Sequence, residues 1–403
     1  MTNDTVTCKN DGGHGVDATL SGVLILNDVI INTAGAHGAA IATDRGGGTI
    51  TVSGGSATAS GQDSPGIYST GNITASDAVI SATGAEAAVI EGANTITLTN
   101  TDLSGATGTR DRGLMIYQSM SGDAQGVQGV FTMTGGSFTW PSPSGPAFYV
   151  TNSTGIITLS DVKINNSSTV LVKAAADQWG NSGTNGGKVK FTADGEILTG
   201  NIVVDDISSV AVSLKNNSSF TGSINSANTA GSADLTLDET STCTVTADSY
   251  INSLNDTGGI SDSTVNNITG NGYNIYYDAS LSANSILGNK TYSLNNGGEL
   301  IPVNVNAADR QQKTAPDYWE LEQNYPNPFN PSTSINYQIP AAAHVSLIVY
   351  NSLGREIAEL VNSEKTAGKY TVSFRATNLS SGIYYYTLRA GKFLKTKKMI
   401  LLK

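Results

Sequence analysis

Cysteine, histidine and charged residues are scarce in this chain of 403 residues, and each scarcity excludes a class of protein. The two cysteines, Cys8 and Cys243, lie far apart and suggest no disulfide framework. The histidines His14, His37 and His344 are isolated, so no Cys/His spacing suits a zinc site. Apolar runs are short as well, and none approaches the roughly 18 residues that a membrane-spanning helix needs. The sequence therefore predicts no disulfide scaffold, no zinc module and no membrane helix.

The few charges are divided unevenly along the chain. Residues 1–317 contain 12 basic and 28 acidic residues, a net charge of −16, whereas residues 318–403 contain 10 and 5, a net charge of +5. An acidic surface argues against nucleic acid and anionic membranes as partners, because both bind basic patches. The cationic C-terminal part is compatible with docking on an acidic translocon or on lipopolysaccharide.

Glycine is abundant, with 45 residues, and serine, threonine and asparagine are frequent. From Gly13 to Val303 these residues alternate with apolar ones in a repeat of roughly 23–35 residues, the range typical of solenoids. Each repeat contributes to three apolar columns. The first column is Leu24/Leu26, Ile50/Val52, Ile73/Ala75, Ile96/Leu98, Phe131/Met133, Ile157/Leu159 and Val189/Phe191. The second is Ile31, Ala57, Ile80, Leu103, Phe138 and Ile164, and the third is Ile41, Ile67, Val89, Met115, Phe148 and Leu171.

Three inward columns per turn are what a triangular parallel β-helix requires, because each short strand stacks on the equivalent strand of the next coil. Residues 187–301, which begin GKVKFTADGEILTGNIVVDD, are similar to stretches of bacterial secreted right-handed β-helix proteins and autotransporter-like adhesins. We therefore predict an all-β chain whose residues 1–305 form a right-handed parallel β-helix. The alternative, a string of small β-sandwiches, lacks proline-marked boundaries before Pro302.

The C-terminal residues, from Tyr318 to Lys403, follow a different pattern. Apolar residues alternate along two stretches, at Val345, Leu347 and Val349 and at Tyr370, Val372 and Phe374. Glycines punctuate the segment at intervals of roughly ten residues, as short strands joined by turns require. The pattern predicts a small antiparallel β-sandwich.

Several separated motifs run through this segment: Gln323–Pro331 (QNYPNPFNP), Val349–Asn351, Leu353–Gly354, Ala367–Gly368, Leu379–Tyr384 (LSSGIY) and Lys397–Met399. In this ordered series the segment resembles the type A C-terminal sorting domain of the type IX secretion system of Bacteroidota and their relatives. The sorting-signal residues that the resemblance implies are Asn324, Tyr325, Pro326, Asn327, Pro328, Phe329, Asn330, Pro331, Tyr350, Gly354, Gly368, Gly382, Tyr384, Lys397 and Lys398.

The resemblance implies an Ig-like fold, passage across the outer membrane through the type IX translocon, removal of the tail by a sorting peptidase, and attachment of the cargo to lipopolysaccharide. The alternative is an ordinary Ig-like module. Cargo of this route carries a signal peptide, yet Met1–Asn10 has no basic start and no apolar core. We expect either that the chain begins inside a longer protein or that its true start lies upstream. The expected organisation is a cargo (1–305), a linker (306–317) and a sorting domain (318–403), secreted or on the outer cell surface.

Polygalacturonase-like hydrolases, members of the pectin-lyase-like superfamily, use NTD, DD and GHG motifs, because two carboxylates must flank the glycosidic bond. In these hydrolases the three motifs follow one another in that order along the chain. Here Gly13-His14-Gly15 comes first, before Asn100-Thr101-Asp102 and Asp205-Asp206, and several coils separate the acidic motifs. A lyase would need a Ca²⁺ cluster of carboxylates beside a basic residue. The densest charged spot is Arg110, Asp111 and Arg112, on the longest coil, but no second carboxylate group clearly stacks beside it.

Binding is the preferred function. Aromatic residues gather in sequence on coils with insertions, and an exposed aromatic ring can stack on a sugar. Phe148 falls in an inward column, whereas Trp140 and Trp179 are expected to be exposed beside Pro, Gly and Ser. We predict a ligand face formed by Trp140, Trp179, Arg110, Asp111 and Arg112 that contacts a glycan or a cell-surface partner. The cargo is thus expected to be a structural or adhesive protein without a resident cofactor, its acidic corners allowing weak Ca²⁺ binding. A polysaccharide-processing enzyme is the alternative.

Overall fold

A computed structural model describes residues 1–122, 124–256, 258–304, 319–365, 368–377 and 379–402. The predicted linker, together with Tyr318 and Ala367 of the predicted tail, lies outside the described residues. The described residues divide into two compact units, the first formed by residues 1–180 and 184–304 and the second containing residues 319–402.

The first unit consists of short strands, with one 3-10 helix at Ser282–Leu287. The strands are β1 (Thr5–Cys8), β2 (Val16–Thr19), β3 (Gly22–Asn27), β4 (Ile30–Thr33), β5 (Ile41–Asp44), β6 (Gly48–Ser53), β7 (Ser56–Ala59), β8 (Ile67–Ser69), β9 (Asn72–Ser76), β10 (Val79–Ala82), β11 (Ala88–Glu91), β12 (Thr95–Ser104), β13 (Leu114–Tyr117), β14 (Gln128–Trp140), β15 (Phe148–Thr151), β16 (Thr154–Ser160), β17 (Lys163–Asn166), β18 (Val170–Ala174), β19 (Lys188–Asp194), β20 (Ile197–Thr199), β21 (Asn201–Val204), β22 (Ser209–Lys215), β23 (Ser219–Gly222), β24 (Ser232–Leu237), β25 (Thr242–Val245), β26 (Ser249–Ile251), β27 (Ser253–Asn255), β28 (Thr264–Thr269), β29 (Ile275–Asp278), β30 (Tyr292–Asn295) and β31 (Glu299–Val303).

These strands form three sheets whose neighbours come from successive turns of the chain. Sheet A follows β1-β4-β7-β10-β12-β14-β16-β19-β22-β24-β27, with β3-β6-β9 joining at β12 and β17 joining at β14. Sheet B follows β2-β5-β8-β11-β13-β15-β18-β21, and sheet C follows β20-β23-β25-β28-β30-β31-β29-β26. The strand pairs are parallel, except where β30 meets β31 near the end of the unit. The predicted β-helix is confirmed as a β-solenoid of about 12 turns.

The second predicted column and the first six pairs of the first column are confirmed, because parallel pairing sets their members side by side. Leu26 pairs with Val52, Leu98 pairs with Met133, and each is buried. The second column runs unbroken from Ile31 to Ile164. One pair was placed wrongly: Phe191 and Ala193, not Val189 and Phe191, lie beside Ile157 and Leu159. A slip of two residues keeps every side chain on the same face, so the apolar alternation alone could not reveal it.

The third column was wrong by one residue in two coils, where the inward residues are Ala88 and Leu114 in place of Val89 and Met115. In β18 Val172 pairs with Phe148, and Leu171, beside an irregularity in register, also packs in the interior core. The strands β11, β13 and β15 are buried along their whole length. A strand buried on both faces loses the alternation that identifies its inner face. Val89 and Met115 consequently project from the outer face of sheet B.

At one corner of the solenoid, a residue with left-handed backbone recurs in eight successive coils, from the turn after β3 to the turn after β22. The residues with positive φ are Asp28, Gly54, Asp77, Asn100, Gly135, Asp161, Gly195 and Asn216. Asx residues and glycine tolerate this conformation. A Cβ at Gly54 would lie 2.2 Å from Asp28 Oδ1, and one at Gly135 would lie 2.5 Å from Asn100 Oδ1. The side chains of Asp28 and Asn100 therefore leave room only for glycine at the paired position of the next coil, whereas Asp77 is followed by Asn100.

A buried carboxylate lies beside this corner. Glu196 is fully buried, and its Oε1 accepts a hydrogen bond from the Val162 N–H at 2.8 Å. Its Oε2 finds no partner among the described residues. Burial, helped by the carboxylates of Asp161 and Asp194, raises the pKa of Glu196 to about 7.

The second unit contains β32 (Glu320–Leu321), β33 (Ser332–Ile339), β34 (Ala343–Asn351), β35 (Glu356–Lys365), β36 (Gly368–Arg375), β37 (Gly382–Ala390) and β38 (Phe393–Leu401). Two antiparallel sheets, β32-β33-β36 and β35-β34-β37-β38, enclose one core. That core includes Val345, Leu347 and Val349, as their alternation predicted.

Substitution of Gly136 should show how tightly neighbouring coils approach. Its φ is +73°, and a Cβ there would lie 2.2 Å from the carbonyl oxygen of Thr101 in the preceding coil. We expect Gly136→Ala to lower the free energy of unfolding by about 3–4 kcal/mol, because backbone must move. Gly12→Ala is the control: its φ is +71° but nothing lies within 4 Å, so about 1–2 kcal/mol is expected. Equal losses in urea unfolding would contradict this account.

Glu196 should make the solenoid less stable at alkaline pH. A carboxyl whose pKa is raised in the folded state binds its proton more tightly there than in the unfolded chain, so the ionised form carries a penalty that falling pH removes. Between roughly pH 8 and pH 5.5 the wild type should gain about 2 kcal/mol relative to Glu196→Gln. Urea unfolding of both proteins at the two pH values measures this difference. A pH-independent difference would show that Glu196 stays ionised.

Candidate functional site

Apolar and aromatic side chains line the outer face of sheet B. Because its strands stack in register, Tyr68, Val89, Met115, Tyr149 and Lys173 form one column on successive coils. A cluster separate from the interior core results, which we call the outer cluster: Tyr68, Val89, Met115, Tyr117, Tyr149, Ala175 and Trp179. Five of these residues are buried, whereas Tyr68 and Trp179 are half-buried, so these two rings are the members of the cluster that a ligand ring can contact.

Basic side chains lie against these rings. The Arg110 guanidinium carbon is 5.8 Å from the ring centre of Trp179, and that of Arg112 is 4.8 Å from the ring centre of Tyr149. The rings of Trp179 and Tyr117 are in contact, with centres 5.1 Å apart. Cation–π attraction holds such pairs together and is strongest where water is excluded.

Arg112 is fixed by more than one interaction. Its Nη2 lies 3.0 Å from Asp177 Oδ2 in an ion pair, and its Nη1 is 3.0 Å from Met115 Sδ. The Tyr149 hydroxyl donates to the same Asp177 oxygen at 3.2 Å. Burial, together with the Asp177 carboxylate, raises the pKa of Tyr149, so this phenol stays protonated. Arg112 is therefore a structural part of the surface.

The Glu91 carboxylate accepts hydrogen bonds from side chains of the coils on both sides of its own. Tyr68 and Tyr117, from the coils on either side, both donate their hydroxyls to Glu91 Oε2, the latter at 2.8 Å. Ser119 donates to Oε1. Burial is the main cause that raises the pKa of both tyrosines, and the charge of Glu91 adds to it. The two rings are thereby held in place as neutral groups.

A cavity of about 230 Å³ adjoins the outer cluster. Tyr68, Val89 and Tyr117 belong to both, and Arg110 lines the cavity while lying over Trp179. The remaining lining residues are His14, His37, Ala39, Asp63, Pro65 and Glu86. His14 accepts a hydrogen bond on Nδ1 from the Ala39 N–H at 3.0 Å, so in the neutral ring the proton is on Nε2.

Glu86 is the most unusual residue of the cavity. It is 3% exposed, and its Oε1 is buried without a hydrogen-bond partner among the described residues. Burial raises the pKa of Glu86, although the charges of Arg110 and Arg112 oppose the shift. A carboxyl kept poorly solvated beside a cavity is a typical feature of functional sites.

The five residues of the predicted ligand face lie in different places in the structure. Arg110, Arg112 and Trp179 come together on the outer face of sheet B, as described above. Asp111 instead accepts hydrogen bonds from the Ser142 and Ser144 hydroxyls at 2.9 and 3.0 Å, which holds the turn after β14. The expected exposure of Trp140 was wrong. Since β14 extends to this residue, strand alternation turns it inward, where it is fully buried and donates Nε1–H to the Gly145 carbonyl at 2.8 Å.

Sequence reasoning missed Glu86, Glu91 and Tyr68, and it treated His14 only as part of an incomplete hydrolase motif. The other acidic parts of that motif lie apart: Asn100 and Asp102 are on β12 of sheet A, and Asp205 follows β21 of sheet B. The missed residues could have been found only with the correct register of the third column. In the structure Glu86 and Arg112 occupy the same position on adjacent coils, each two residues before the paired Ala88 and Leu114.

In the tail, the proline-rich motif is held by hydrogen bonds to the domain core. The Asn324 N–H donates to the Tyr386 hydroxyl at 2.7 Å, and Asn324 Nδ2 donates to Thr333 Oγ1 at 2.9 Å. Phe329 is buried, and its N–H donates to the Ile400 carbonyl at 2.9 Å. Asn327 Oδ1 accepts from the Ile400 N–H at 2.9 Å. The motif thus closes the fold against the last strand.

Some of the other predicted signal residues hold turns and strand ends of the domain, and others are exposed on its surface. Gly354 has a positive φ in the turn between β34 and β35, Gly368 and Gly382 begin β36 and β37, and the Tyr384 hydroxyl donates to the Ser380 carbonyl. Tyr350, Pro331 and Lys397 are half-buried. The exposed members are Tyr325, Pro326, Pro328, Asn330 and Lys398.

A comparison with known families identifies the C-terminal segment. Its residues 323–402 match the family model of the secretion system C-terminal sorting domain. This segment is a sorting domain. The match covers 80 of the 403 residues, so it says nothing about the solenoid. Such a tail implies export by the type IX system, interaction with its machinery, and a final location on the cell surface or outside the cell.

No curated protein and no solved structure matches the chain. Among the described residues, no helix has the length and hydrophobicity that crossing a bilayer requires. Within the same residues, no group of three or more His, Cys, Asp or Glu side chains could hold a metal ion.

Proposed function

We propose that this protein is an adhesive, secreted or surface-attached β-solenoid that binds a glycan along the outer face of sheet B. The observation that carries the proposal is the outer cluster, with Arg110 and Arg112 over its aromatic rings. A pyranose ring has an apolar face of C–H groups that packs on an aromatic ring, while its hydroxyls need donors and acceptors around the edge. The open parts of the Tyr68 and Trp179 rings offer the first kind of contact, and the exposed Arg110 offers the second.

The geometry of the rim supports a binding role. Trp179 is half-buried, so part of its ring is open to a ligand, while its indole nitrogen is buried without an acceptor among the described residues. Arg110 is exposed, and its guanidinium can donate to hydroxyls while stacking on the Trp179 ring. Because Glu91 and Asp177 fix the supporting tyrosines, little side-chain freedom would be lost when a ligand binds.

The lyase alternative finds less support. A lyase base must reach the substrate, but Arg112 is committed to Asp177 and only 16% exposed. Asp111, the carboxylate beside it, faces the Ser142 turn. Weak Ca²⁺ binding at acidic corners remains a separate expectation.

For the tail, we infer that it has the Ig-like form of this sorting-domain class and that the chain comes from a member of Bacteroidota or their relatives. On this proposal the translocon binds the folded tail, a sorting peptidase removes it, and the cargo is attached to lipopolysaccharide. The net charge of +5 on residues 318–403 favours contact with acidic surfaces.

The tail should direct export by itself when it is folded. A periplasmic reporter fused to residues 305–403 is expected on the surface or in the medium of a host with the type IX system. Phe329→Ala should keep it in the periplasm, because losing this buried ring costs about 3–5 kcal/mol. The control, Leu394→Ala, changes a residue that is 59% exposed and lies outside the predicted signal motifs, so it should leave export unchanged. Cell fractionation and blotting measure the result, and export of the Phe329→Ala fusion at the wild-type level would contradict the proposal.

Glycan binding should depend on Trp179. On a glycan array followed by calorimetry, Trp179→Ala should weaken the binding of any ligand at least about tenfold, the loss expected when a central aromatic contact is removed. Tyr273→Ala is a matched control, since this exposed ring lies outside sheet B. Absence of glycan binding by the wild type, or equal losses in both variants, would count against the proposed function.

A further inference from the structure

We propose that the cavity beside the outer cluster is a glycosidase site, in which Glu86 donates the proton and Asp63 activates the water. This inference rests on the proposed glycan-binding function and adds a reaction to it. The substrate class is an uncharged polysaccharide. No motif in the sequence marks the pair, because the two residues come from adjacent coils.

The first argument is the position of the two carboxyl groups. Both line the same cavity. The Gly66 N–H donates to the Glu86 carbonyl at 3.2 Å, so Glu86 is level with Pro65 one coil earlier, two residues after Asp63. Asp63 lies in the turn before Pro65, and its charge is among those that raise the pKa of Glu86, so the two carboxyl groups lie near each other. Glycosidases hold their carboxyl pairs about 5–9.5 Å apart.

The second argument is that the two carboxyl groups have unlike surroundings. Glu86 is almost completely buried and lacks a partner for one oxygen, which favours its protonated form. Asp63 is half-exposed in a loop before β8. One acid and one base in unequal environments are what acid–base catalysis requires.

The third argument concerns the substrate. The cavity continues into the outer cluster through Tyr68 and Tyr117, so a chain bound on the aromatic rings would place a neighbouring sugar next to Glu86. With Glu86 protonated, the charges of Asp63 and Arg110 balance within the cavity, and the net charge of −16 on residues 1–317 disfavours uronates and sulfated sugars. Arg110 is left to donate to hydroxyl groups.

The reaction balances without a metal or a cofactor. Glu86 gives its proton to the glycosidic oxygen as the bond from that oxygen to the anomeric carbon breaks. The oxygen of a water molecule bonds to the anomeric carbon, and Asp63 takes the proton that the water loses. The products are a new reducing end and an alcohol, and proton exchange with solvent restores Glu86 and Asp63.

The test uses the full chain and the neutral polysaccharides xylan, galactan, mannan and mixed-linkage glucan, with polygalacturonate and alginate as anionic comparisons. Reducing ends and glycan binding are measured side by side. We expect release from a neutral polysaccharide that falls at least about a hundredfold in both Glu86→Gln and Asp63→Asn, the usual share of a general acid or base. Binding should change little. Glu196→Gln is the matched control, a buried glutamate away from the cavity, and should retain wild-type activity at neutral pH.

The outcomes separate the two proposals. Binding without cleavage, or cleavage that persists in Glu86→Gln, overturns the catalytic proposal and leaves the binding function standing. Cleavage of anionic chains alone, with an unsaturated product, overturns it in favour of a lyase. Neither binding nor cleavage by the wild type overturns both. Thermal unfolding verifies that each variant is folded, and because Asp63 is half-exposed, Asp63→Asn keeps the test decisive if Glu86→Gln is unstable.

Discussion

Parallel pairing between successive coils is the constraint on which this solenoid depends. A single coil has no interior of its own, so every apolar side chain must meet its equivalent in the next coil, as Leu98 meets Met133. The same pairing sets the corners, where Asn100 leaves no space for a Cβ at Gly135. It also determines what lies outside: once the inward column is set, the outer column of sheet B follows from it residue by residue. The outer cluster and its cavity are consequences of coil stacking.

Sheet A could be predicted from the sequence because one of its faces is in water. Thr and Ser alternate with apolar residues there, so the period of two reveals both the strand and its inner face. Sheet B could not be predicted in the same way, since β11, β13 and β15 are buried on both sides. Choosing Val89 instead of Ala88 was reasonable on hydrophobicity alone, but the larger residue packs outside. The error in register and the existence of the outer cluster have one physical cause: a second apolar layer covers this sheet.

The candidate site was predictable only where local sequence is unusual. Arg110, Arg112 and Trp179 stand on insertions, and their charge and size mark them without any knowledge of register. Glu86 has no such mark, because an isolated glutamate among alanines looks like a solvated turn residue. Its burial arises from the coils on either side, which the sequence shows only after their alignment is known. Trp140 is the opposite case: its proline and serine neighbours indicate a loop, yet β14 continues to it and the strand's alternation turns it into the core.

The two units also differ in why they can be recognised. In the tail, motif residues contact one another or the same strand: Asn324 binds Tyr386, and Phe329 and Asn327 both bind Ile400. A fold held by such mutual contacts needs particular residues in a particular order, and an ordered series can be recognised. In the solenoid, a site is formed by residues from successive coils. The number of residues between them along the chain varies with the lengths of the intervening turns. Insertions change the spacing without disturbing the stack, so a functional group can be complete in space while no motif exists along the chain. For solenoids, alignment of coils must therefore precede any search for chemistry.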